Sequence, residues 1–494
     1  MFRMNACAAP RAILLAALAA MIADSRSDGA ADAAELPNII LCMADDQGWG
    51  DTGYGGHPLL ETPNLDAMAE AGLVFNRFYA ASPQCSPTRG SVLTGRHPFR
   101  YGIPAANHGR MPPEEFTLPE LLKERGYATG QFGKWHLGTL STTDPSLNRG
   151  TGDALVRFFS PPWKNGFDVC FSNESKVPTF DPMIGPAEYA PWWNPITDPT
   201  KVHPFGTPYY RSDGSQATEN LRGDDSRIIM DRVIRFVRDV AARQPFLAVV
   251  WFHASHLPVV AGPKDTERYP GVDRYHQHYY GCITAMDRQV GRLRNELRQL
   301  GVANNTMFWY CSDNGPERKF GLGAGSTGSL RGHKRALFEG GIRVPGLLEW
   351  PAQIKAGRQT DVPVVTSDYL PTILDLLDMQ LPDDRPIDGI SLVPLLEGNM
   401  PARLRPITFE FPTGERSAGS PPVALIEDRY KLVTDMSEGG RNLLFDVVAD
   451  PQETTDLSSR MPGKVADMKR VLAAWRVSCR SSAAGDDYPG ASRD

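Results

Sequence analysis

The sequence has no excess of basic residues and no long hydrophobic run. Lysine and arginine number 52 against 58 aspartate and glutamate, a formal net charge of −6. Binding to nucleic acid needs clustered cations in excess to neutralise phosphates, so we expect no nucleic-acid partner. The apolar run at 12–23 is too short for a comfortable membrane span, and no later run is long enough. We therefore expect no stable membrane span.

Cysteine is sparse, with seven residues among 494, and it forms no C-x-x-C pair or Cys/His zinc spacing. The six cysteines after position 7 could pair as disulfides, but they are widely scattered. Cys42 and Cys311 lie inside apolar, strand-like runs, where buried free thiols are common. The composition is otherwise that of an ordinary globular protein, which argues against disorder, a collagen or a disulfide scaffold.

The first 23 residues predict a secretory signal peptide. Arg3 and Arg11 precede the apolar run, and a stretch of small and polar residues follows it. An uncleaved anchor is the alternative interpretation. We expect a signal peptide at 1–23, a linker at 24–35, and a secreted or periplasmic protein.

Predicted strands and helices alternate along the chain. Apolar runs at 38–44, 246–251 and 306–311 indicate buried strands, and amphipathic stretches at 227–242 and 275–300 indicate helices. This alternation predicts a mostly parallel sheet that helices cover on both faces.

Two other regions depart from this alternation of strands and helices. Residues 140–220 are rich in proline, glycine and aromatic residues, which indicates long loops that are functional or poorly ordered. Six ring-bearing side chains there could form a platform on which sugar rings stack, although local packing is the commoner role of such side chains. They are Tyr189, Trp192, Trp193, His203, Tyr209 and Tyr210. Short strand-like runs after 401, followed by a helix within 464–476, predict a small α+β subdomain at 401–494. Residues 36–400 would then form the main domain.

Acidic residues follow two of the predicted strands. Asp45 and Asp46 come after the first strand, and Asp313 and Asn314 come after the strand at 306–311. Each pair alone is more often a helix cap or a turn. However, ligands bind outside the carboxyl ends of strands in open α/β sheets, so the matched placement favours one shared site. These oxygen ligands suit a hard cation, either Ca²⁺ or Mg²⁺.

The most specific pattern is CSPTRGSVLTGR at 85–96, where Cys85 lies at the start of a predicted helix. It resembles the signature of the type I, formylglycine-dependent sulfatases, which are arylsulfatase-like members of the alkaline phosphatase superfamily. The resemblance extends over nearly the whole chain after the linker, through PNIILCMADDQGWGD, ETPNLDAMAEAG, GKWHLG, SDNG, EGGIRVP and NLLFDVVADPQETTDL. In that family the cysteine is oxidised to formylglycine, whose hydrated aldehyde is the nucleophile. The resemblance therefore implies this modification at Cys85 and a formylglycine-generating enzyme as maturation partner.

The resemblance also implies roles for residues around Cys85. Arg89 would hold the hydrated aldehyde, Lys134 would bind sulfate, and His136 would act as the base that collapses the diol. Histidine suits that step because its pKa lies near working pH. His256 would contact the sulfate and the leaving-group oxygen, with His253 as a rival.

The second sulfate-binding lysine is assigned by spacing. Lys334 lies five residues before Glu339 in KRALFEGGIRVP, as the family pattern requires, whereas His333 and Arg335 flank it as rivals. Lysine ammonium groups, an arginine and a divalent cation around one tetrahedral anion would stabilise the charge that develops on its oxygens. We interpret Glu339 and Arg343 as structural partners in a turn.

The fold that the resemblance implies is α/β. It has an alkaline phosphatase-like large domain with a mixed, mostly parallel central sheet, and a small C-terminal subdomain with an antiparallel sheet. The implied function is hydrolysis of sulfuric esters, with sulfated carbohydrate or aryl sulfate as substrate. The implied cation ligands are Asp45, Asp46, Cys85 after modification, Asp313 and Asn314. Two alternatives remain, a phosphate or phosphonate monoester hydrolase of the same superfamily and a non-catalytic carbohydrate-binding protein.

Overall fold

A computed structural model of the chain describes Met1 and residues 36–318, 322–417 and 419–488. The chain divides into a first unit, Met1–Leu36, of which only Met1 and Leu36 are described, and a second unit, Pro37–Asp494. The predicted signal peptide and linker lie outside the described residues, apart from Met1. Within the described part of the chain, no helix combines the length and the apolar character that a membrane crossing requires.

A nine-stranded sheet forms the centre of the second unit. In spatial order its strands are β13 (Arg358–Thr360), β2 (Leu73–Phe75), β12 (Gly346–Glu349), β10 (Thr306–Ser312), β1 (Asn38–Ala44), β9 (Phe246–Trp251), β4 (Ala128–Lys134), β5 (Val169–Asn173) and β8 (Tyr209–Arg211). The five strands from β10 to β5 are parallel, whereas β12 and β8 run antiparallel to their neighbours. The sheet is therefore mixed and mostly parallel, as the sequence predicted.

The three strands predicted from apolar runs are the innermost ones. Every residue of β1, β9 and β10 is buried. Their sequences do not alternate between apolar and polar residues because helices cover both faces of the sheet. This continuous burial is the reason that the runs were visible in the sequence.

Helices lie on both faces of this sheet. The longest are α5 (Asp225–Val240), which packs on β4 and β9, and α7 (Arg274–Gln299), which packs on α5. Each is capped at its N-terminus by the preceding aspartate, Asp224 or Asp273. The others are α1 (Pro63–Ala71), α2 (Cys85–Thr94), α3 (Leu118–Lys123), α4 (Asp153–Arg157), α6 (Pro263–Thr266), α8 (Glu339–Ile342), α9 (Tyr369–Leu376), α10 (Val393–Leu396) and α11 (Pro462–Ala483).

The C-terminal part of the chain forms an antiparallel sheet of four strands. They are β15 (Ile407–Glu410), β16 (Val423–Glu427), β17 (Tyr430–Thr434) and β18 (Asn442–Asp446). One face packs against α11 through Val465, Met468 and Leu472. The other face packs against Leu337, Phe338 and Ile342 of the main part of the chain. This sheet therefore packs directly against the segment that contains Lys334.

Two sequence interpretations need correction. The strand β4, ATGQFGK, was not predicted because its glycine and polar residues form no apolar run, yet all seven residues are buried. A Cβ atom at Gly133 would lie 2.0 Å from the carbonyl oxygen of Trp251, so the close approach of β4 and β9 requires glycine there. Residues 140–220 also contain more regular structure than expected: α4, β5, β8 and the two-stranded pair β6 (Ile184–Gly185) and β7 (His203–Pro204).

The remaining strands form a small sheet of their own. They are β3 (Phe78–Tyr79), β11 (Arg343–Val344) and β14 (Val364–Val365), with β3 in the centre. Among the described cysteines none forms a disulfide, and all six are buried free thiols. The interpretation of Cys42 and Cys311 as buried free thiols is confirmed.

Candidate active site

The two acidic pairs meet at the carboxyl ends of β1 and β10. Ala44 lies opposite Ser312 in this parallel pair, so the residues that follow emerge side by side. The backbone N–H of Asp46 donates to Asp313 Oδ1 at 3.1 Å, and Asn314 Nδ2 donates to Asp46 Oδ1 at 2.7 Å. The structure thus brings the four predicted metal ligands of these two strands together, and all of them are buried.

Three oxygens of this cluster are buried without a hydrogen-bond partner: Asp45 Oδ1, Asp46 Oδ2 and Asn314 Oδ1. Burying such atoms unpaired is costly, so their clustering indicates that a ligand satisfies them. One ligand atom each from Asp45, Cys85 and Asp313 also lie within 4.8 Å of one another. A carboxylate and amide oxygen set fits a hard divalent cation. The residues present therefore fit the predicted metal.

Cys85 is the first residue of α2, a helix that is buried along its whole length. The N-terminal end of a helix carries unpaired N–H groups and a partial positive charge, which favours an anion. Burial raises the pKa of the Cys85 thiol, and the ammonium groups of Lys134 and Lys334 offset part of that effect. The helix ends at Gly95, whose φ of 68° is left-handed.

Arg89 lies one turn after Cys85 on the same helix and is completely buried. Its Nη2 atom lies 2.6 Å from Asp313 Oδ2 and 3.6 Å from Asp45 Oδ2, and its guanidinium lies 5.2 Å from the ring centre of Trp251. Its Nη1 atom is buried without a partner. The acidic cluster therefore holds this side chain with one donor nitrogen unused.

Each of the two predicted sulfate-binding lysines pairs with one aspartate of the cluster. Lys134, the last residue of β4, places Nζ 2.6 Å from Asp45 Oδ2, and Lys334 places Nζ 2.5 Å from Asp46 Oδ1. Burial would lower the pKa of Lys334, but the negative groups around it, Asp46 foremost, together outweigh burial and raise that pKa. Burial and the neighbouring Asp45 raise the pKa of Asp313 to about 6. The charges of this site therefore depend strongly on one another.

The two histidine candidates that follow β9 point to different places. His256 Nε2 lies 3.9 Å from Asp46 Oδ2, and its Nδ1 bonds to the carbonyl oxygen of Leu257 at 2.6 Å. Burial and the nearby lysine ammonium groups hold the pKa of His256 well below its usual value. His253 Nδ1 instead lies 2.9 Å from Asp225 Oδ2. The structure brings His256, not His253, to the acidic cluster.

His136 follows β4 and has a left-handed backbone, with φ of 60°. Its Nε2 lies 2.8 Å from Asn107 Oδ1, whereas its Nδ1 is buried without a partner. An amide oxygen only accepts hydrogen bonds, so this contact places the proton on Nε2 and leaves the lone pair of Nδ1 available. Burial, Lys134 and Arg149 hold the pKa of His136 well below its usual value.

Sequence reasoning missed two partners of His136. Asn107 holds the ring, and Arg149 Nη2 donates to the His136 carbonyl oxygen at 2.7 Å. Both residues lie in loops with no distinctive motif, so no signal in the sequence marked them.

The two residues that flank Lys334 in the sequence bond to groups outside the acidic cluster. His333 Nδ1 lies 3.0 Å from the carbonyl oxygen of Lys334, and Arg335 Nη1 donates to Glu317 Oε1 at 2.9 Å. Arg343 lies 3.4 Å from Glu339, the pair that the sequence indicated as structural.

The aromatic residues of 140–220 pack mostly among themselves. Tyr209 is buried and stacks on Phe171 with ring centres 4.2 Å apart, so it cannot serve as a platform for sugar rings. Trp192 packs near His278, and Trp193 packs near Phe205.

Comparison with known proteins identifies the family. A family model described as Sulfatase matches residues 37–379. The chain belongs to the sulfatase family. A second model, described as N-sulphoglucosamine sulphohydrolase, C-terminal, matches residues 332–476 of this sulfatase. The protein is therefore an enzyme that hydrolyses sulfate esters.

Relatives and solved structures agree with this assignment. N-acetylgalactosamine-6-sulfatase of Canis lupus familiaris is 33% identical over 399 residues, which cover 75% of this sulfatase and 68% of the relative. Steryl-sulfatase of Mus musculus is 33% identical over 446 residues, with 79% and 70% covered. A crystal structure of Ps i-CgsB in complex with k-i-k-neocarrahexaose aligns with a TM-score of 0.73 and 26% identity, covering 89% and 93% of the two chains. The predicted alkaline phosphatase-like fold is confirmed.

Proposed function

We propose that this sulfatase removes sulfate from sulfated carbohydrate, with a formylglycine made from Cys85 as its nucleophile. One arrangement supports this most. A cysteine in the family signature opens a buried helix, and its thiol lies beside carboxylates, unpaired oxygens and two lysines. The enzyme would be secreted or periplasmic, and a formylglycine-generating enzyme would modify it during maturation. Residues 36–400 would form the catalytic domain and 401–494 a C-terminal subdomain.

The names of the relatives support a carbohydrate substrate. One is an N-acetylgalactosamine-6-sulfatase, and the solved structure of Ps i-CgsB contains k-i-k-neocarrahexaose. The steryl-sulfatase relative is named for a different class of compound. We infer a sulfated polysaccharide as the natural substrate and expect aryl sulfates to serve as artificial ones.

The metal site would be formed by the acidic cluster and residue 85. Asp45, Asp46, Asp313 and Asn314 would hold Ca²⁺ or Mg²⁺ together with modified Cys85. The cation would supply positive charge to a sulfate oxygen. The three oxygens that have no partner in the protein support this assignment.

The cationic side chains would bind the anion and hold the nucleophile. Lys134 and Lys334 would contact sulfate oxygens, because both ammonium groups already lie beside the acidic cluster. Arg89 would donate from Nη1 to an oxygen of residue 85. Charge placed in advance around a buried anion stabilises a transition state more effectively than the same charge in water.

Protons would move in two steps. In the first, a hydroxyl of residue 85 loses its proton as its oxygen bonds to sulfur, and the ester S–O bond breaks. The departing alcohol oxygen contacts His256 and takes a proton from the ammonium of Lys334, and the proton released at residue 85 replaces it. In the second, His136 would accept at Nδ1 the proton of the other hydroxyl at position 85. The bond from residue 85 to the sulfate oxygen then breaks, so that the aldehyde re-forms and sulfate leaves. The buried, unpartnered Nδ1 supports this role.

The deciding experiment combines peptide mass spectrometry over residue 85 with an assay of aryl sulfate hydrolysis. The protein is produced in a host that possesses the maturation machinery. An aldehyde at position 85 together with sulfate release is the expected result. An unmodified thiol without turnover would support the carbohydrate-binding alternative. Modification with hydrolysis of aryl phosphate or phosphonate esters, but not of aryl sulfates, would support the phosphate or phosphonate monoester hydrolase.

A further inference from the structure

Residues 331–342, the segment that carries Lys334, are held in place by contacts with the C-terminal part of the chain. Ser417 Oγ donates to the carbonyl oxygen of Lys334 at 2.9 Å. The N–H of Leu337 donates to Ser420 Oγ at 3.0 Å. The apolar side chains of this segment pack into the core of the four-stranded sheet. The position of Lys334 therefore depends on residues more than 80 positions later in the chain.

A buried ionic cluster strengthens this attachment. Lys431, on β17, places Nζ 2.9 Å from Glu339 Oε1 and 3.0 Å from Glu453 Oε1. All three side chains have 0% exposure. The other carboxylate oxygen of Glu453 accepts the backbone N–H of Glu339 at 2.7 Å. One lysine thus links two carboxylates that have no contact with water.

Glu453 is attached to both ends of the segment. Arg331 Nη1 donates to the Glu453 carbonyl oxygen at 3.1 Å, near the start, whereas Glu339 contacts its carboxylate near the end. The N–H of Gly340 closes the loop by donating to the Arg331 carbonyl oxygen at 2.6 Å. Lys334 lies between these two points of attachment.

This arrangement matters because the ammonium of Lys334 must keep its place beside Asp46, 2.5 Å away. A shift of about 1 Å in a group that contacts the reacting atoms can cost about a hundredfold in rate. Removing one partner of a buried charge cluster leaves the others uncompensated, so the surrounding backbone moves or admits water.

We propose that Lys431 and Glu453 are positioning residues for sulfate ester hydrolysis, which fasten the Lys334 segment so that its ammonium faces Asp46 and the substrate sulfate. Neither residue touches the substrate, and both act through Lys334. The inference rests on the proposed function, because it takes Lys334 as a sulfate-binding cation.

The first test measures the binding of inorganic sulfate by titration calorimetry and aryl sulfate turnover, both on the metal-loaded, matured enzyme. In Lys431→Met, whose side chain has a similar length without the charge, we expect sulfate binding to weaken and kcat/KM to fall, each about tenfold or more. Glu453→Gln keeps an acceptor for the N–H of Glu339 and should show a smaller loss. It also provides a milder variant should Lys431→Met fail to fold.

A matched control separates positioning from stability. Arg294, on α7, is 6% exposed and pairs with Glu349, which lies opposite Phe308 near the start of β10, away from the acidic cluster. Arg294→Met should lower the melting temperature but leave sulfate binding and kcat/KM within about twofold of the wild type.

A double-mutant comparison decides whether the effect passes through Lys334. Lys334→Ala should weaken sulfate binding by itself, and adding Lys431→Met to it should cost nothing further. The proposal is overturned if the folded Lys431→Met and Glu453→Gln variants bind sulfate and turn over substrate like the wild type. It is also overturned if the loss in the double variant equals the product of the losses in Lys334→Ala and Lys431→Met. Unchanged sulfate binding in Lys334→Ala would overturn it together with the role given to that lysine. Failure of the proposed function would appear separately, as wild-type enzyme that releases no sulfate.

Discussion

The Lys334 ammonium lies 2.5 Å from Asp46 Oδ1, although the two residues are 288 positions apart in the sequence. Lys134 pairs in the same way with Asp45 Oδ2. Each lysine occupies one oxygen of its aspartate, and the other oxygen of each aspartate is buried without a partner. The site therefore has two cations already in place and two carboxylate oxygens left for a metal.

Removal of divalent metal should inactivate the enzyme and destabilise it. Unpaired buried oxygens and close carboxylates remain when no cation is bound, so we expect at least a tenfold loss of aryl sulfate hydrolysis and a lower melting temperature. Dialysis against a chelator, with metal content measured directly, tests this. Adding back Ca²⁺ and Mg²⁺ separately shows which ion restores activity. Full activity in verified metal-free protein would contradict the proposed site.

Cys85→Ala should abolish turnover and leave the fold intact. The thiol is the only source of the proposed nucleophile, whereas its replacement removes one small buried atom. Circular dichroism and thermal melting check the fold, and aryl sulfate hydrolysis checks activity. Cys170→Ala is the matched control, because Cys170 is also a buried free thiol but lies on β5, a strand that contributes none of the proposed site residues. Wild-type turnover in Cys85→Ala would refute the mechanism.

Alanine substitutions of the two histidines after β9 should affect different properties, one activity and the other stability. His256→Ala should lower kcat about a hundredfold with little change in melting temperature, since this side chain is 20% exposed and faces the acidic cluster. His253→Ala should mainly reduce the free energy of unfolding, by about 1–3 kcal/mol, because it removes a buried partner of Asp225. Kinetics and chemical denaturation of both variants separate the effects. If only His253→Ala lowered kcat, His253 would be the catalytic histidine and His256 the structural one.

Asn107 should act by orienting His136. Asn107→Ala removes the acceptor of Nε2, so the ring can adopt the other tautomer or rotate, and we expect kcat to fall about tenfold with KM nearly unchanged. Asn107→Asp keeps an acceptor oxygen at the same place and should retain more activity than the alanine variant. Equal kcat in wild type and Asn107→Ala would show that the ring is held by other contacts.

Local sequence patterns predicted the elements whose burial is continuous. The strands β1, β9 and β10 were visible because helices cover both of their faces, so most of their residues are apolar. The acidic pairs could be placed in one site because parallel strands end at the same edge of a sheet. In contrast, β4 was missed, since its close contact with β9 requires glycine where a typical strand has a branched residue.

The sequence by itself determined the class of the fold, the string around Cys85 and the residue types of the site. Only the tertiary structure decided which carboxylate oxygens are paired with lysine and which remain available, and which histidine after β9 faces the acidic cluster. It also decided that Asn107 holds His136 and that Lys431 and Glu453 lie behind Lys334. The physical reason is that local patterns report burial and periodicity, whereas these contacts join residues from separate loops and sheets whose relative position depends on the packing of the whole unit.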